Sequence, residues 1–190
     1  MAQLKLFMLL LGCKPPGRHT EQHDVFFGIA GSLNELLPDI NAFWPNGGVI
    51  HIDAWREVTA IDGFRINILL KTEAKNDTAE AGNKLFFINL GGYLENRFEE
   101  QHYFVLTVKP DKAQAFKQAK ETTFYKHNFF EGTHSHIDDR YGIDVDDLYE
   151  IDEVLSLTQK QKYRIELIPQ ACLMGDALHI GYVKLSQLAK

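Results

Sequence analysis

Apolar and polar positions along this chain alternate in short runs, not in long helical stripes. Six apolar residues, Leu6–Leu11, stand between Lys5 and Gly12. A second run, Leu85–Leu90, stands between Lys84 and Gly91 and is broken only by Asn89. Runs of this length, bounded by a charge and a glycine, predict buried strands. Each is followed by a polar loop and a second strand, near Gln22–Ala30 and near Gln101–Val108. A helix comes next. Asp111 can cap "KAQAFKQAKETTF", which puts Ala115, Phe116 and Ala119 on one face. In the first half, Ser32 and Glu35 have capping-box spacing, and Pro38 predicts a kink or restart. "GVIHIDAW", "GFRINILL" and "YRIELIP" predict strands separated by turns, and "LHIGYVKLSQL" predicts one more.

These runs repeat. Displaced by 79 residues, the chain matches itself without a gap: Lys5-Leu6-Phe7 falls on Lys84-Leu85-Phe86, and Leu11-Gly12 on Leu90-Gly91. Arg18 falls on Arg97, and Glu21-Gln22-His23 on Glu100-Gln101-His102. From Lys5 to Phe27, 9 of 23 positions are identical, where chance gives roughly one or two. With insertions, His51-Ile52-Asp53 corresponds to His136-Ile137-Asp138, and Phe64-Arg65-Ile66 to Tyr163-Arg164-Ile165. The polar stretch Lys71–Asn83 reads as a linker. The expected fold is therefore α+β, an internal duplication of a β-β-α-β-β unit over residues 1–80 and 81–190. Each helix should pack on a mostly antiparallel sheet, with the units related by a pseudo-two-fold axis as in a fused dimer.

The succession of an apolar strand ending in Leu-Gly, then Arg-x-x-Glu-Gln-His, then His-Ile-Asp resembles the bacterial domain of unknown function 1543 family. The resemblance extends over most of both halves. It implies two tandem copies, a shared fold and a bacterial source, and it implies no activity.

Composition narrows the field. Apolar residues make up 45% of the chain and charged residues 24%, which is ordinary for a packed domain. The net charge is −6 with no basic stretch, which argues against nucleic acid as a partner. Leu10-Leu11-Gly12-Cys13 resembles a lipoprotein cleavage box. Its partner "KLFFINLGG" lies mid-chain, however, so both are read as core strands and no membrane attachment is expected. Two widely spaced cysteines, Cys13 and Cys172, form no disulfide framework and suit a reduced, cytoplasmic setting.

The chemistry is expected in the repeated polar motif. On a strand, Glu21 and His23 share a face, as do Glu100 and His102. A carboxylate beside an imidazole can transfer protons, so these four are the catalytic candidates. Arg18 and Arg97 could hold an anion or simply pair with the neighbouring glutamates, with Gln22 and Gln101 closing the loop. His51 with Asp53, and His136 with Asp138, also share strand faces. Beside the second strand they complete a set of candidate ligand-binding residues. Two His with two carboxylates suit zinc, manganese or iron, but no helix-borne His-x-x-x-His or Cys pair fixes a geometry, so no metal ligands are assigned. "HSHIDD" lacks the last His of a metallo-hydrolase loop, and "DDRYGIDVDDLYEIDE" lacks the Gly and Glu of a calcium loop and reads as a solvated acidic face. No cofactor loop or activated nucleophile stands out. The sequence thus points to a small-molecule-binding or interaction protein with duplicated Arg/Glu/His sites. The alternative is a hydrolase or isomerase using Glu/His pairs, metal-assisted or not.

Overall fold

A computed structural model of the chain describes residues 3–72, 82–93, 98–121 and 143–188. Its strands are β1 (Lys5–Cys13), β2 (Gln22–Ala30), β3 (His51–Val58), β4 (Ala60–Ile61), β5 (Phe64–Leu70), β6 (Lys84–Tyr93), β7 (Glu100–Lys109), β8 (Ile143–Glu150), β9 (Tyr163–Pro169) and β10 (His179–Lys184). A 3-10 turn (Leu33–Leu36) leads into α1 (Leu37–Phe43). The other helices are α2 (Lys112–Lys120), α3 (Ile151–Val154), α4 (Leu157–Lys162) and α5 (Leu185–Leu188). Among the described residues all the strand pairings are antiparallel, and the fold is α+β.

Contacts divide the chain into two units, Met1–Asp77 with Leu155–Lys190, and Thr78–Val154. This division departs from a cut between residues 80 and 81. The reason is strand pairing: β9 fills the open edge of β5, and β10 that of β3.

In the first unit, β1 is central in the order β10-β3-β1-β2. Alternation sends Phe7, Leu9, Leu11 and Cys13 to one face, where they pack with Phe26, Ile52, Leu36 and Ile40. The expected capping box does not form: the Ser32 side chain accepts no backbone N–H, and instead its Oγ donates to Glu35 Oε1 (2.9 Å) while Glu35 Oε2 accepts from Gly31 N (3.0 Å). Pro38 stands in the first turn of α1 and so marks the restart after the 3-10 turn. Asp62-Gly63, both at positive φ, make the two-residue turn between β4 and β5.

In the second unit β6 is central, in the order β7-β6-β8. Phe86, Ile88 and Leu90 pack with Ala115 and Ala119 of α2, whose cap Asp111 accepts from Gln114 N at 2.8 Å. Phe116, expected on the buried face, is exposed instead, with Lys120 Nζ 4.9 Å from its ring centroid. The acidic stretch is not merely a solvated face, because Ile143–Glu150 of it forms β8. Val145 and Leu148 anchor that strand on the core.

The two sheets share their registers. Lys5 faces Ala30 and Lys84 faces Lys109, so each β1–β2 pair maps onto a β6–β7 pair by the same 79 residues. The third strand carries a register shift at Leu10/Leu11 in one sheet and at Asn89/Leu90 in the other, again 79 apart. Ile52 faces Leu11 where Val145 faces Leu90. The place of β3 is thus taken by β8; the His136-Ile137-Asp138 segment lies outside the described residues.

Candidate functional site

Gly12 faces His23 on one side and His51 on the other. Residues opposite one another on neighbouring strands point to the same face, so both imidazoles rise beside the glycine on the face away from α1. Glu21 lies two residues before His23 and joins this face. Asp53 is the extra residue at the register shift, between Ile52 facing Leu11 and Ala54 facing Leu10. Such a bulge re-aims a side chain, and here it turns Asp53 towards the imidazoles.

The four side chains form a closed ring. His51 Nε2 lies 3.2 Å from Glu21 Oε1 and 3.3 Å from Asp53 Oδ1. His23 Nε2 lies 3.2 Å from Asp53 Oδ2 and 3.7 Å from Glu21 Oε2. The His51 side chain is 6% exposed, while those of His23 and Glu21 are about half open to solvent. Asp53 Oδ2 is buried and makes no hydrogen bond: His23 Nε2 is near enough but not aligned. The glycine makes this crowding possible. A Cβ at Gly12 would collide with His51 Nε2 and would lie 2.6 Å from Asp53 Oδ2. Tyr182 of β10 covers His51, with ring centroids 4.3 Å apart, and His179 stacks on Trp55 at 3.9 Å.

The second unit builds a related set over Gly91, which faces His102 on β7 and Asp144 on β8. A Cβ at Gly91 would collide with Asp146 Oδ2 and come within 2.7 Å of Glu100 Oε1. His102 Nδ1 is 3.3 Å from Asp146 Oδ2 and 3.3 Å from Asn89 Oδ1. Asn89 Nδ2 donates to Asp146 and Asp147, each at 3.4 Å. Asp146 sits at the register shift as Asp53 does. The backbone position of His51 is held by Asp144, so among the described residues this set has one imidazole fewer.

Most of the residues singled out from sequence can be located. Glu21, His23, His51 and Asp53 converge, as do Glu100 and His102. Arg18 does not join them: it lies exposed in the loop, its backbone N donating to Pro15 O at 3.2 Å. The expected pair of Arg18 with Glu21 does not form. Glu21 turns inward along its strand to the imidazoles, while Arg18 stays in the turn. Gln22 alternates to the opposite side and donates to Glu21 O (3.1 Å) and Thr20 O (3.4 Å) within its own loop; Gln101 alternates in the same way on β7. Arg97, His136 and Asp138 lie outside the described residues.

Asp146, Tyr182 and the two glycines are additions. The signal for Gly12 and Gly91 was the repeated Leu-Gly strand ending. Asp146 was hidden in the acidic run.

Cys13 follows Gly12 but points the other way, into the core. Burial, and then the Glu21 carboxylate, push its thiol up. Cys13 and Cys172 are unpaired. Among the described residues, no group of three or more His, Cys, Asp or Glu side chains is so placed that it could hold a metal ion. No described helix is long and apolar enough to cross a membrane.

The family model of Domain of Unknown Function (DUF1543) matches residues 18–68, the segment that carries Glu21, His23, His51 and Asp53. The fold is similar to that in the crystal structure of a protein Il1583 from Idiomarina loihiensis, with a TM-score of 0.61 and 20% identity. That match covers 96% of this chain and 97% of the other. No curated protein matches.

Proposed function

We propose that the chain is a small-molecule-binding protein built from two tandem copies of one unit, each with a polar site over a strand glycine. The observation that carries this reading is the repeated geometry. Glu, His and a bulge Asp gather over Gly12 and again over Gly91, in sheets whose registers differ by the same 79 residues. The pairing of β5 with β9 supports the duplication. Asn67 faces Glu166, and these two are equivalent when Phe64-Arg65-Ile66 is laid on Tyr163-Arg164-Ile165. An antiparallel pair centred on equivalent positions suits copies joined about a local two-fold axis. Two unpaired cysteines suit a cytoplasmic location.

The preferred ligand carries a positive or hydrogen-bond-donating group. Among the described residues the carboxylates outnumber the fixed cations in both sets, and Asp53 Oδ2 has an unused acceptor. The test is a thermal-shift screen of small amines, amino acids and polar metabolites in EDTA-containing buffer. It is run on the wild type and on variants E21Q/H23A and E100Q/H102A. At least one compound should raise the wild-type melting temperature and lose its effect in one variant pair. A screen in which every shift survives in both pairs would refute the reading.

A second reading, acid–base catalysis, rests on the nearness of His51 Nε2 to two carboxylate oxygens, at 3.2 and 3.3 Å. It requires turnover of a compound found in the screen, with loss of rate in H51Q.

A further inference from the structure

We infer that Glu21, His23, His51 and Asp53, in the first unit, bind a divalent transition-metal ion above Gly12. The inference rests on the reading of this place as a binding site and names its ligand class.

The donor set is the first reason. Two imidazole nitrogens and two carboxylates are the ligands that zinc, manganese and iron share. With neutral imidazoles the set carries two negative charges, which a divalent ion balances.

Spacing is the second. Bonds of about 2.0–2.2 Å to nitrogen and oxygen place ligand atoms about 3.3–3.6 Å apart around a tetrahedron. Each imidazole nitrogen already lies 3.2 to 3.7 Å from an oxygen of both carboxylates, although from different oxygens of each, so the half-exposed Glu21 and His23 must still turn to present four donors to one centre.

The third is the buried oxygen. Asp53 Oδ2 has lost its water and gained no hydrogen bond, a loss of about 1–3 kcal/mol for such a group. A cation in the ring would satisfy it. His51 presents a parallel problem: one ring N–H can serve only one of the two oxygens beside Nε2, whereas a metal serves both.

Support for the ring comes from below and from the side. Gly12 leaves open the space on which the donors converge, since a Cβ there would meet His51 Nε2, His51 Cε1 and Asp53 Oδ2. Tyr182 packs on the His51 ring and holds its orientation. The side chains do not yet enclose a centre. His51 and Asp53 are the more buried pair, so the half-exposed Glu21 and His23 are the two that swing in to complete the shell. Among the described residues the second set has one imidazole only, so it should hold zinc more weakly.

The test uses the full chain, stripped with EDTA and dialysed. ZnCl2 and MnCl2 are titrated in by calorimetry, and bound metal is counted by mass spectrometry after desalting. One ion per chain should bind with a micromolar or tighter Kd. D53N and H23A should weaken binding by about tenfold or more, and K84M, whose ion pair with Glu150 lies outside both polar sets, should leave it unchanged. H51A removes a buried side chain, so folding is checked by circular dichroism, and E21Q, at an exposed position, supplies the same information if H51A fails to fold. No stoichiometric binding by the wild type, or binding untouched by D53N, H23A and E21Q, would overturn the inference. Because the small-molecule screen is run in EDTA, a compound effect that depends on Glu21 and His23 would leave the binding-site reading standing after the metal inference had fallen.

Discussion

Gly12 and His51 face one another across β1 and β3, and the imidazole leans over the glycine so closely that no side chain fits beneath it. Gly12→Ala should therefore displace His51 and Asp53, cost about 1–3 kcal/mol as overpacking does, and abolish binding at the first site. Gly91→Ala should act in the same way on Asp146 and Glu100 in the second unit. Urea denaturation with ligand or zinc titration checks both. A Gly12→Ala protein with wild-type stability and binding would show that the ring is looser than its geometry implies.

Gln159 seals the free edge of β2. Its Oε1 accepts from Ile29 N at 2.9 Å, and its Nε2 donates to Asp39 Oδ2 at 2.6 Å. The side chain is buried, so removing it leaves the Ile29 N–H unpaired. Gln159→Ala should destabilise the protein by about 1–3 kcal/mol without affecting either polar site. Hydrogen exchange should show the loss first at the Ile29 amide.

The two thiols should differ in reactivity. Cys13 is buried and its thiol is pushed up, while Cys172 is exposed. Only the thiolate is nucleophilic. Iodoacetamide at neutral pH should label Cys172 in the folded protein, and Cys13 only after denaturation. Peptide mapping by mass spectrometry reads the outcome. Rapid labelling of Cys13 in the native state would contradict its place in the core.

Acid and alkali should test two ion pairs in the second unit. Glu153 accepts from Lys112 Nζ at 2.7 Å, which holds its carboxyl below the usual range, helped by the Glu150 backbone amide. Its folded pKa is lowered, so its contribution is present above the ordinary carboxylate value and is lost as pH falls through the depressed one. Lys84 donates to Glu150 at 2.7 Å, and this hydrogen bond raises the ammonium pKa. Its contribution is present below the ordinary ammonium value and is lost as pH rises through the raised one. E153Q should flatten the acid limb of a stability–pH curve, and K84M the alkaline limb. Both effects should be small and should shrink in salt, because the side chains involved are largely exposed.

The sequence by itself determined the local elements and where to look. Leu6–Leu11 and Leu85–Leu90 are too apolar to lie anywhere but in a core, and their glycine ends marked the two sites. Asp111 fixed the start of α2 through its cap hydrogen bond, and Pro38 that of α1 through ring geometry, each within a few residues. Period two along β2 and β7 put Glu21 with His23 and Glu100 with His102, because alternation is a property of one strand. Partners across strands were a different matter. A one-residue shift in register, at Leu10/Leu11 and Asn89/Leu90, aims Asp53 and Asp146 into their clusters, and no local pattern encodes such a bulge. The acidity of the segment around Asp146 hid a strand that only the open edge of β6 selects. Likewise β9 and β10 joined the first unit because β5 and β3 had edges to fill, a choice made by hydrogen bonds between residues about a hundred positions apart in the chain.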